Sequence, residues 1–473
     1  MLNGNGAGRR RVVAAGAAAV LAGATIAAGV TLTRPQPQPQ PDLTMAGIAQ
    51  DPCQQQRVGP VPARLSGQFE PDSSILRTAG GVYVAPGESV PLAPAESACV
   101  AAAERADRDW LRAGLVPGAT PAQRSMATRA LLDLRLAVQP DGAVLVGWHP
   151  GWEYVWPRDS SWIAVALTDT GHPAMAYQIL RFLQRVQAGD GTWAARYLPD
   201  GSGPVRDGRP AELDADGWVL WAAWSWASTQ RLGPGGPSRR ELALLWPMVT
   251  RAAGAAVRSL TGDGLPRAAM DYWENSVQVT LGTAAPLLAG LRAAADLAAA
   301  VGGAAAAGDA RRWAAAAARL AMAIAATFGH TGYQRMPTGS GADAAVTFLG
   351  PPFATPDPQV LLAARSAQQA LAVANGGLRP GARWPGTPGV AWTPETACFA
   401  LFDAETGQHS RAAALLAWLA AHRTRLGSLP EQVNSASQPA SVAPLSWADA
   451  VTLLALLAQA GHLSTVPVPS SGQ

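Results

Sequence analysis

From Thr120 onward, the long patterned stretches of this chain carry the helical period. Apolar residues recur every three to four positions, and loops rich in Gly, Pro and Asp separate the segments. Candidate helices span 120–138, 158–170, 173–188, 215–231, 238–259, 277–301, 308–328, 357–375, 393–405, 408–425 and 446–461, eleven in all. Strand-like runs are few and short there. Helices joined as hairpins can close into a bundle, a solenoid or a double ring. No fixed residue period links them, which argues against a regular solenoid; periodicity does not choose between the other two.

The region 43–117 is mixed. Gly80 to Gly87 alternates apolar residues between Gly and Pro and reads as a short strand, and Ala95 to Ala113 reads as a helix that stops at Gly114. It is expected to be a small accessory layer on a main domain covering 118–465, with a flexible tail at 466–473. Ahead of it, Arg9, Arg10 and Arg11 precede an uncharged run from Val12 to about Leu32. That order describes a secretory signal or an N-terminal membrane anchor within 1–34, so export to the cell envelope or beyond is expected. The Pro-Gln alternation of 35–42 favours an extended spacer.

Composition removes several kinds of chemistry. All 36 basic residues are arginine, which excludes lysine-dependent phosphate loops, Schiff bases and lysine bases. The net charge of +3 comes with no dense basic stripe, so nucleic acid is a poor partner. The six histidines are scattered and the three cysteines form no CxxC pair, so neither a metal nor another cofactor is expected. Export would let Cys53 and Cys99 pair, with Cys398 left in a helix.

The loops are more telling than the helices. With 17 tryptophans against 7 phenylalanines, the chain is rich in flat faces suited to a pyranose ring. Trp152, Trp156, Trp193, Trp273 and Trp447 sit in or beside polar loops, where a binding role is slightly favoured over core filling. Glu274, in Met270-Asp-Tyr-Trp-Glu-Asn-Ser276, stands just before a candidate amphipathic helix. A general acid there needs its proton near neutral pH; desolvation by Tyr272 and Trp273 and the charge of Asp271 would favour that, and a helix N-terminus would oppose it. From local sequence alone, Glu274, Asn275 and Ser276 read as a helix cap, and Glu431, in Leu429-Pro-Glu-Gln432, as a solvated loop glutamate.

Five loops in order change that balance. Tyr154-Val-Trp-Pro-Arg-Asp-Ser-Ser-Trp162 resembles the arginine-aspartate loop of the glucoamylase family, glycoside hydrolase family fifteen. Asp190–Gly201 and Glu212-Leu-Asp-Ala-Asp-Gly-Trp218 are similar to its next two loops. Asp271-Tyr-Trp-Glu274 resembles its general-acid segment, and Leu429–Gln432 followed by Pro444-Leu-Ser-Trp447 resembles its general-base segment. The likeness runs from about Leu131 to Leu456.

The resemblance implies an all-α (α/α)6 barrel and an inverting hydrolase. Such an enzyme releases a sugar, glucose being the expected one, from the non-reducing end of an α-linked oligo- or polysaccharide. Carried over, Glu274 is the general acid and Glu431 the general base. Arg158, Asp159, Trp156, Tyr154, Asp216, Asp271, Trp273, Asn275 and Trp447 are the substrate-binding set of an enzyme expected to be monomeric and to need no metal or cofactor. Asn275 stands where the family often has a second acid, and Ser446-Trp-Ala-Asp449 where Thr-Trp-Ser-His or similar is common. The region 43–117 is also too short for the large β-sandwich of many bacterial members. These departures leave room for another α-glucan, for trehalose, for a phosphorylase on the same barrel, or for an exported protein that binds sugar without cutting it.

Overall fold

The computed structural model describes residues 42–467 apart from 55–56, 85–87, 91–93, 229–238 and 462. The expected signal or anchor, nearly all of the Pro-Gln spacer and the end of the tail lie outside the described residues. Contacts divide the chain into Met1–Gln36 and Pro37–Gln473, and every described element belongs to the second unit.

After α1 (Pro94–Ala113), eleven α-helices succeed one another as hairpins: α2 (Pro121–Ala137), α3 (Pro157–Asp169), α4 (Pro173–Val186), α5 (Asp214–Ser228), α6 (Arg239–Ser259), α7 (Leu281–Val301), α8 (Ala304–Phe328), α9 (Pro358–Leu371), α10 (Thr393–Glu405), α11 (His409–Ala421) and α12 (Ser446–Gln459). Helices α3, α5, α7, α10 and α12 touch in sequence as an inner ring. The place between α7 and α10 is filled by a short 3-10 helix, Ala344–Leu349. Each inner element packs on one outer helix: α4 on α3, α6 on α5, α8 on α7, α9 on the 3-10 helix, α11 on α10 and α2 on α12. This is an (α/α)6 barrel. The sequence predicts eleven long helices because the twelfth position is too short to carry a helical period.

The two rings differ in composition for a physical reason. Residues Pro157–Thr168 of α3, Asp214–Trp226 of α5 and Ser446–Ala458 of α12 are buried without a break, so these helices are covered on every face and, beyond their first turns, mostly apolar. Helix α7 is long and apolar enough to cross a membrane, yet most of it is buried as an inner-ring helix. Outer helices such as α4 bury one stripe only. The barrel axis is filled by Trp162, Trp218, Trp221, Phe348 and Phe353, with the Trp162 ring 5.0 Å from Trp218 and 4.9 Å from Trp221. Much of the tryptophan excess is therefore core. Trp193, expected to contact sugar, is core too: it is buried and donates its indole N–H to the Leu183 carbonyl at 2.9 Å.

Starts are marked where expected. Thr120 and Gln123 form a capping box before Pro121, and Asp357 caps α9 before Pro358. The main departure is at α7, which begins at Leu281 rather than 277: Gln278 is still extended, paired with Ala269. Region 43–117 holds β1 (Met45–Gln50) paired with β2 (Val58–Pro62), a meander of β3 (Gln68–Phe69), β4 (Leu76–Thr78), β5 (Gly81–Val84) and β6 (Glu88–Val90), and α1. Arg129 of α2 ties it down, donating to Ser73 O at 3.2 Å and Ser74 Oγ at 3.0 Å. Cys99 is a free thiol, so the Cys53–Cys99 bond is not formed.

Helices α5 and α7 meet backbone to backbone. A Cβ on Gly217 would lie 2.2 Å from the Pro286 carbonyl oxygen, and one on Gly290 2.5 Å from that of Gly217. Gly308, in exposed α8, has nothing within 4 Å. Gly217→Val is expected to destabilise the protein by about 2–3 kcal/mol through overpacking, whereas Gly308→Ala should stabilise it by about 0.5–1 kcal/mol. Denaturant melts of the two variants check this; a tolerated Gly217→Val contradicts the packing.

Candidate active site

Hairpin connectivity makes the inner elements parallel, so their N-termini gather at one end of the barrel with the loops that precede them. Each N-terminus presents unpaired N–H groups and partial positive charge. Acidic residues stand at the first turns of α3 (Asp159), α5 (Asp214 and Asp216), α10 (Glu395) and α12 (Asp449), and Asp343 caps the 3-10 helix.

Arg158, in the first turn of α3, is the centre of the group. Its guanidinium is in close contact with Glu212, lies 3.3 Å from Asp159 and 3.8 Å from Asp214, and has Trp447 beneath it at 5.4 Å. Burial works against the charged guanidinium, but Glu212, Asp159 and Asp214 outweigh it and hold Arg158 protonated well above its ordinary value. One cation cannot offset three carboxylates in a dry site. Burial, against the pull of Arg158, pushes Glu212 up to about 8 and Asp214 to about 7, with mutual repulsion adding to both. Asp159 is raised by burial as well.

Glu274 closes a tight turn. Its backbone N–H bonds Asp271 O at 2.9 Å, Asp271 Oδ1 accepts from Trp273 N–H at 3.0 Å, and its φ of +51° is in the left-handed region. It is not a helix cap, since α7 starts seven residues on. Trp156, the residue before α3, donates its indole N–H to Glu274 Oε1 at 3.0 Å, and Arg158 stands 3.9 Å from the same oxygen. The other oxygen, Oε2, is in contact with Arg209. The Asp271 carboxylate is paired with Arg335, which donates to it at 2.9 and 3.1 Å.

Glu431 precedes β8 (Gln432–Val433), the middle strand of a small sheet with β7 (Ala391–Trp392) and β9 (Pro439–Ala440). Its backbone is locked by Val442 O and Thr393 N. The side chain is only 8% exposed, against the expectation of a solvated glutamate. It accepts from Trp152 Nε1 and Gln432 Nε2, each at 3.3 Å, and from Ser441 Oγ. Burial raises its pKa and the charge of Asp159 adds to the rise; the Ser441, Trp152 and Gln432 bonds oppose it. Glu395 stands behind it, pushed up to about 8 by burial, with repulsion from Glu431 and Asp343 contributing.

A second arginine organises the flank. Arg335 lies flat over Trp273 at 3.8 Å, pairs with Asp271 and donates to Asn275 Oδ1 at 3.2 Å. Tyr272 donates to Asp343 Oδ1 at 2.6 Å, and burial lifts Asp343 to about 7. Tyr154 lies under Arg196, whose guanidinium is 4.5 Å from its ring and 5.0 Å from Trp156.

The structure thus gathers Glu274, Glu431, Arg158, Asp159, Trp156, Tyr154, Asp271, Trp273, Asn275 and Trp447 around one end. Asp216 is the exception. It is buried in α5, and besides its neighbour Asp214 the charges acting on it are Arg267, Asp190 and Arg258, none of which touches Arg158. Glu212 and Asp214, from the same segment, are the acids that stand beside Arg158. Arg335, Arg209, Trp152 and Ser441 complete the cluster from loops with no local signal, save that Trp152 stands in a polar loop. Asp449 is buried against α2, where burial and Asp133 raise its pKa, so that departure lies behind the site. Among the described residues no group of three or more His, Cys, Asp and Glu side chains has a metal-binding arrangement.

Fold and cluster together define a glucoamylase-type (α/α)6 barrel. Solved structures that share it include a glycosidase (TM-score 0.59, 21% identity, 72% of this chain and 96% of that one). A bacterial glucoamylase complexed with acarbose gives a TM-score of 0.60 at 15% identity, over 78% of this chain and 60% of that one. The family fifteen glucoamylase from Hypocrea jecorina gives 0.55 at 16% identity, over 72% of each chain. An uncharacterised glycosyl hydrolase of Methanocaldococcus jannaschii is 27% identical over 179 residues, which are 37% of this chain and 27% of that protein's length. No family profile matches the chain.

The buried carboxyls predict how stability varies with pH. Glu212, Asp214, Asp343 and Glu395 have folded pKa values of about 7–8 against ordinary values of 3.8–4.5. Between those limits the native state binds more protons than the unfolded chain, so their contribution is full below about pH 4 and lost as pH rises through 8. The melting temperature at pH 5 is expected to exceed that at pH 8.5; the reverse order means these groups are ionised in the native protein.

Proposed function

We propose that this protein is an exported, inverting glycoside hydrolase that removes glucose from the non-reducing end of an α-linked glucan oligosaccharide. The observation that carries the reading is that two glutamates from separate loops, Glu274 and Glu431, flank the Arg158–Asp159 pair, each held by an indole N–H. Glu274 protonates the glycosidic oxygen as it leaves. Glu431 takes a proton from the water that attacks the anomeric carbon. Arg158 and Asp159 bind hydroxyls of the terminal sugar, and Trp156 and Trp273 face its ring. Glu212 Oε1, Glu395 Oε2 and Trp447 Nε1 are buried without a hydrogen bond inside the protein, a set of polar atoms suited to a polyhydroxylated ligand. Glucoamylases and glycosidases among the structural relatives support the reaction class. A base carboxylate in place favours hydrolysis over phosphorolysis, where phosphate itself attacks. The Arg9–Arg11 run and the apolar stretch after it support export.

The test is a proton-NMR time course with maltotetraose, isomaltotriose and trehalose supplied separately. First appearance of β-glucose is expected from at least one, and α-glucose appearing first contradicts inversion. Glu274→Gln and Glu431→Gln should each lower kcat by at least about a hundredfold while leaving the melting temperature near that of the parent. Near-normal turnover by Glu431→Gln removes it as the base.

The acid limb of the pH–rate profile gives an independent reading of the base. The Trp152 and Ser441 hydrogen bonds lower the Glu431 pKa, so their loss raises it and keeps the base protonated to higher pH. Trp152→Phe and Ser441→Ala should both move the acid limb of kcat/KM upward; a limb that stays in place in both assigns it to another group.

A further inference from the structure

We infer that the leaving-group side of this site takes an anionic saccharide, selected by Arg209; the inference rests on the proposed hydrolase activity. Arg209 belongs to the exposed loop between Arg196 and Glu212. Its side chain is 40% exposed, against 8% for Arg158, yet it reaches in to contact Glu274 Oε2. Oε1 is taken by Trp156 and Arg158. A group on Oε2 of the acid lies beside the glycosidic oxygen, hence beside the sugar that departs with it.

The charges around Arg209 balance only while Glu274 is ionised. Arg209 Nε is 3.1 Å from Asp207, but Asp207 also accepts two bonds from Arg196. Arg196 is fixed: it donates to Gly151 O at 2.7 Å and is stacked on Tyr154 and Trp156. Two guanidiniums therefore face Asp207 and Glu274. Burial, with the charge of Arg196 next to it, pulls the Arg209 pKa down, as expected of crowded cations. Nearby groups offer little relief: Glu212 acts on Arg209 but is held against Arg158, Asn275 is neutral, and Asp271 is already paired with Arg335.

General-acid catalysis needs Glu274 protonated. That step leaves Arg196 and Arg209 with Asp207 and a Glu212 shared with Arg158, so positive charge is in excess beside the leaving sugar. A carboxylate or phosphate on that sugar restores balance, and guanidinium binds both bidentately. The anion draws Arg209 off Glu274, which takes up a proton from solvent and holds it. On cleavage that proton goes to the glycosidic oxygen as its bond to the anomeric carbon breaks, the water oxygen bonds that carbon, and Glu431 receives the water proton. Glu274 ends as a carboxylate and reclaims Arg209, which releases the anionic product, and Glu431 returns its proton to solvent.

The full-length protein, Arg209→Gln and Arg209→Lys are to be compared on three α-linked disaccharides with the same non-reducing glucose. These are maltose, its analogue with the reducing glucose oxidised to glucuronate, and its analogue with phosphate on C6 of the reducing glucose. The parent should cleave at least one anionic substrate with kcat/KM roughly tenfold above maltose. Arg209→Gln should bring that ratio to about one, and Arg209→Lys should keep part of it. Which analogue gains separates a carboxylate from a phosphate. Equal rates in the parent, or a ratio that survives in Arg209→Gln, overturn the inference. If none of the three is cleaved by any form, the maltose linkage is excluded, and the isomaltotriose and trehalose time courses decide the hydrolase reading separately. Tryptophan fluorescence titration of the same sugars still decides: tighter, Arg209-dependent binding of an anion supports the selector, and equal binding overturns it.

Discussion

The site depends on keeping one arginine charged where water is scarce. A buried guanidinium loses several kcal/mol of hydration, which only close carboxylates can return. Arg158 therefore needs Glu212, Asp159 and Asp214 from two separate elements, with Trp447 of a third beneath it. That requirement draws α3, α5 and α12 together at their N-termini. Helix dipoles help there, since partial positive charge at each inner N-terminus suits an acidic group. Burial is nevertheless the larger effect for most of these acids, and the dipoles do not keep Glu212, Asp214, Asp343 or Glu395 at their ordinary values.

The same balance shapes the two catalytic candidates, and it runs against their roles. The acid, Glu274, is the more open of the two and faces arginine. The base, Glu431, is buried, which favours the carboxylic acid, and three hydrogen bonds oppose that effect without cancelling it.

Periodicity located the helices well because burial on one face or on all faces leaves a repeated pattern. It could not find the sixth inner element, since six residues of 3-10 helix hold no period, and it started α7 too early because extended Ser276–Thr280 is followed at once by apolar residues. The candidate site was legible as ordered loop motifs, not as isolated residues: Glu274 alone reads as a cap and Glu431 alone as a surface glutamate. The burial of Asp216 and of Trp193 carries no local signal, because it depends on which way a side chain points in a first turn or tight loop. Arg209 and Arg335 were invisible because arginine is the only basic residue in the chain and a single one in a loop carries no signal.

The departures from the family pattern separate by position. Asp449 lies behind the barrel wall beside Asp133, where both acids are buried and Arg129 supplies a single cation at 2.9 Å from Asp133. Burial raises both pKa values, with the charge of Asp133 adding to the rise at Asp449, and Arg129 also binds Ser73, Ser74 and the Phe69 ring. That change belongs to how the N-terminal strands are fastened to the barrel. Asn275 is different in kind. It adjoins the proposed acid and meets Arg335 on the leaving-group side, so replacing a carboxylate there removes a negative charge from the half of the site that already carries Arg209. On the proposed reading of Glu274, that loss and the exposed Arg209 act in the same direction, toward an anionic sugar across the cleaved bond.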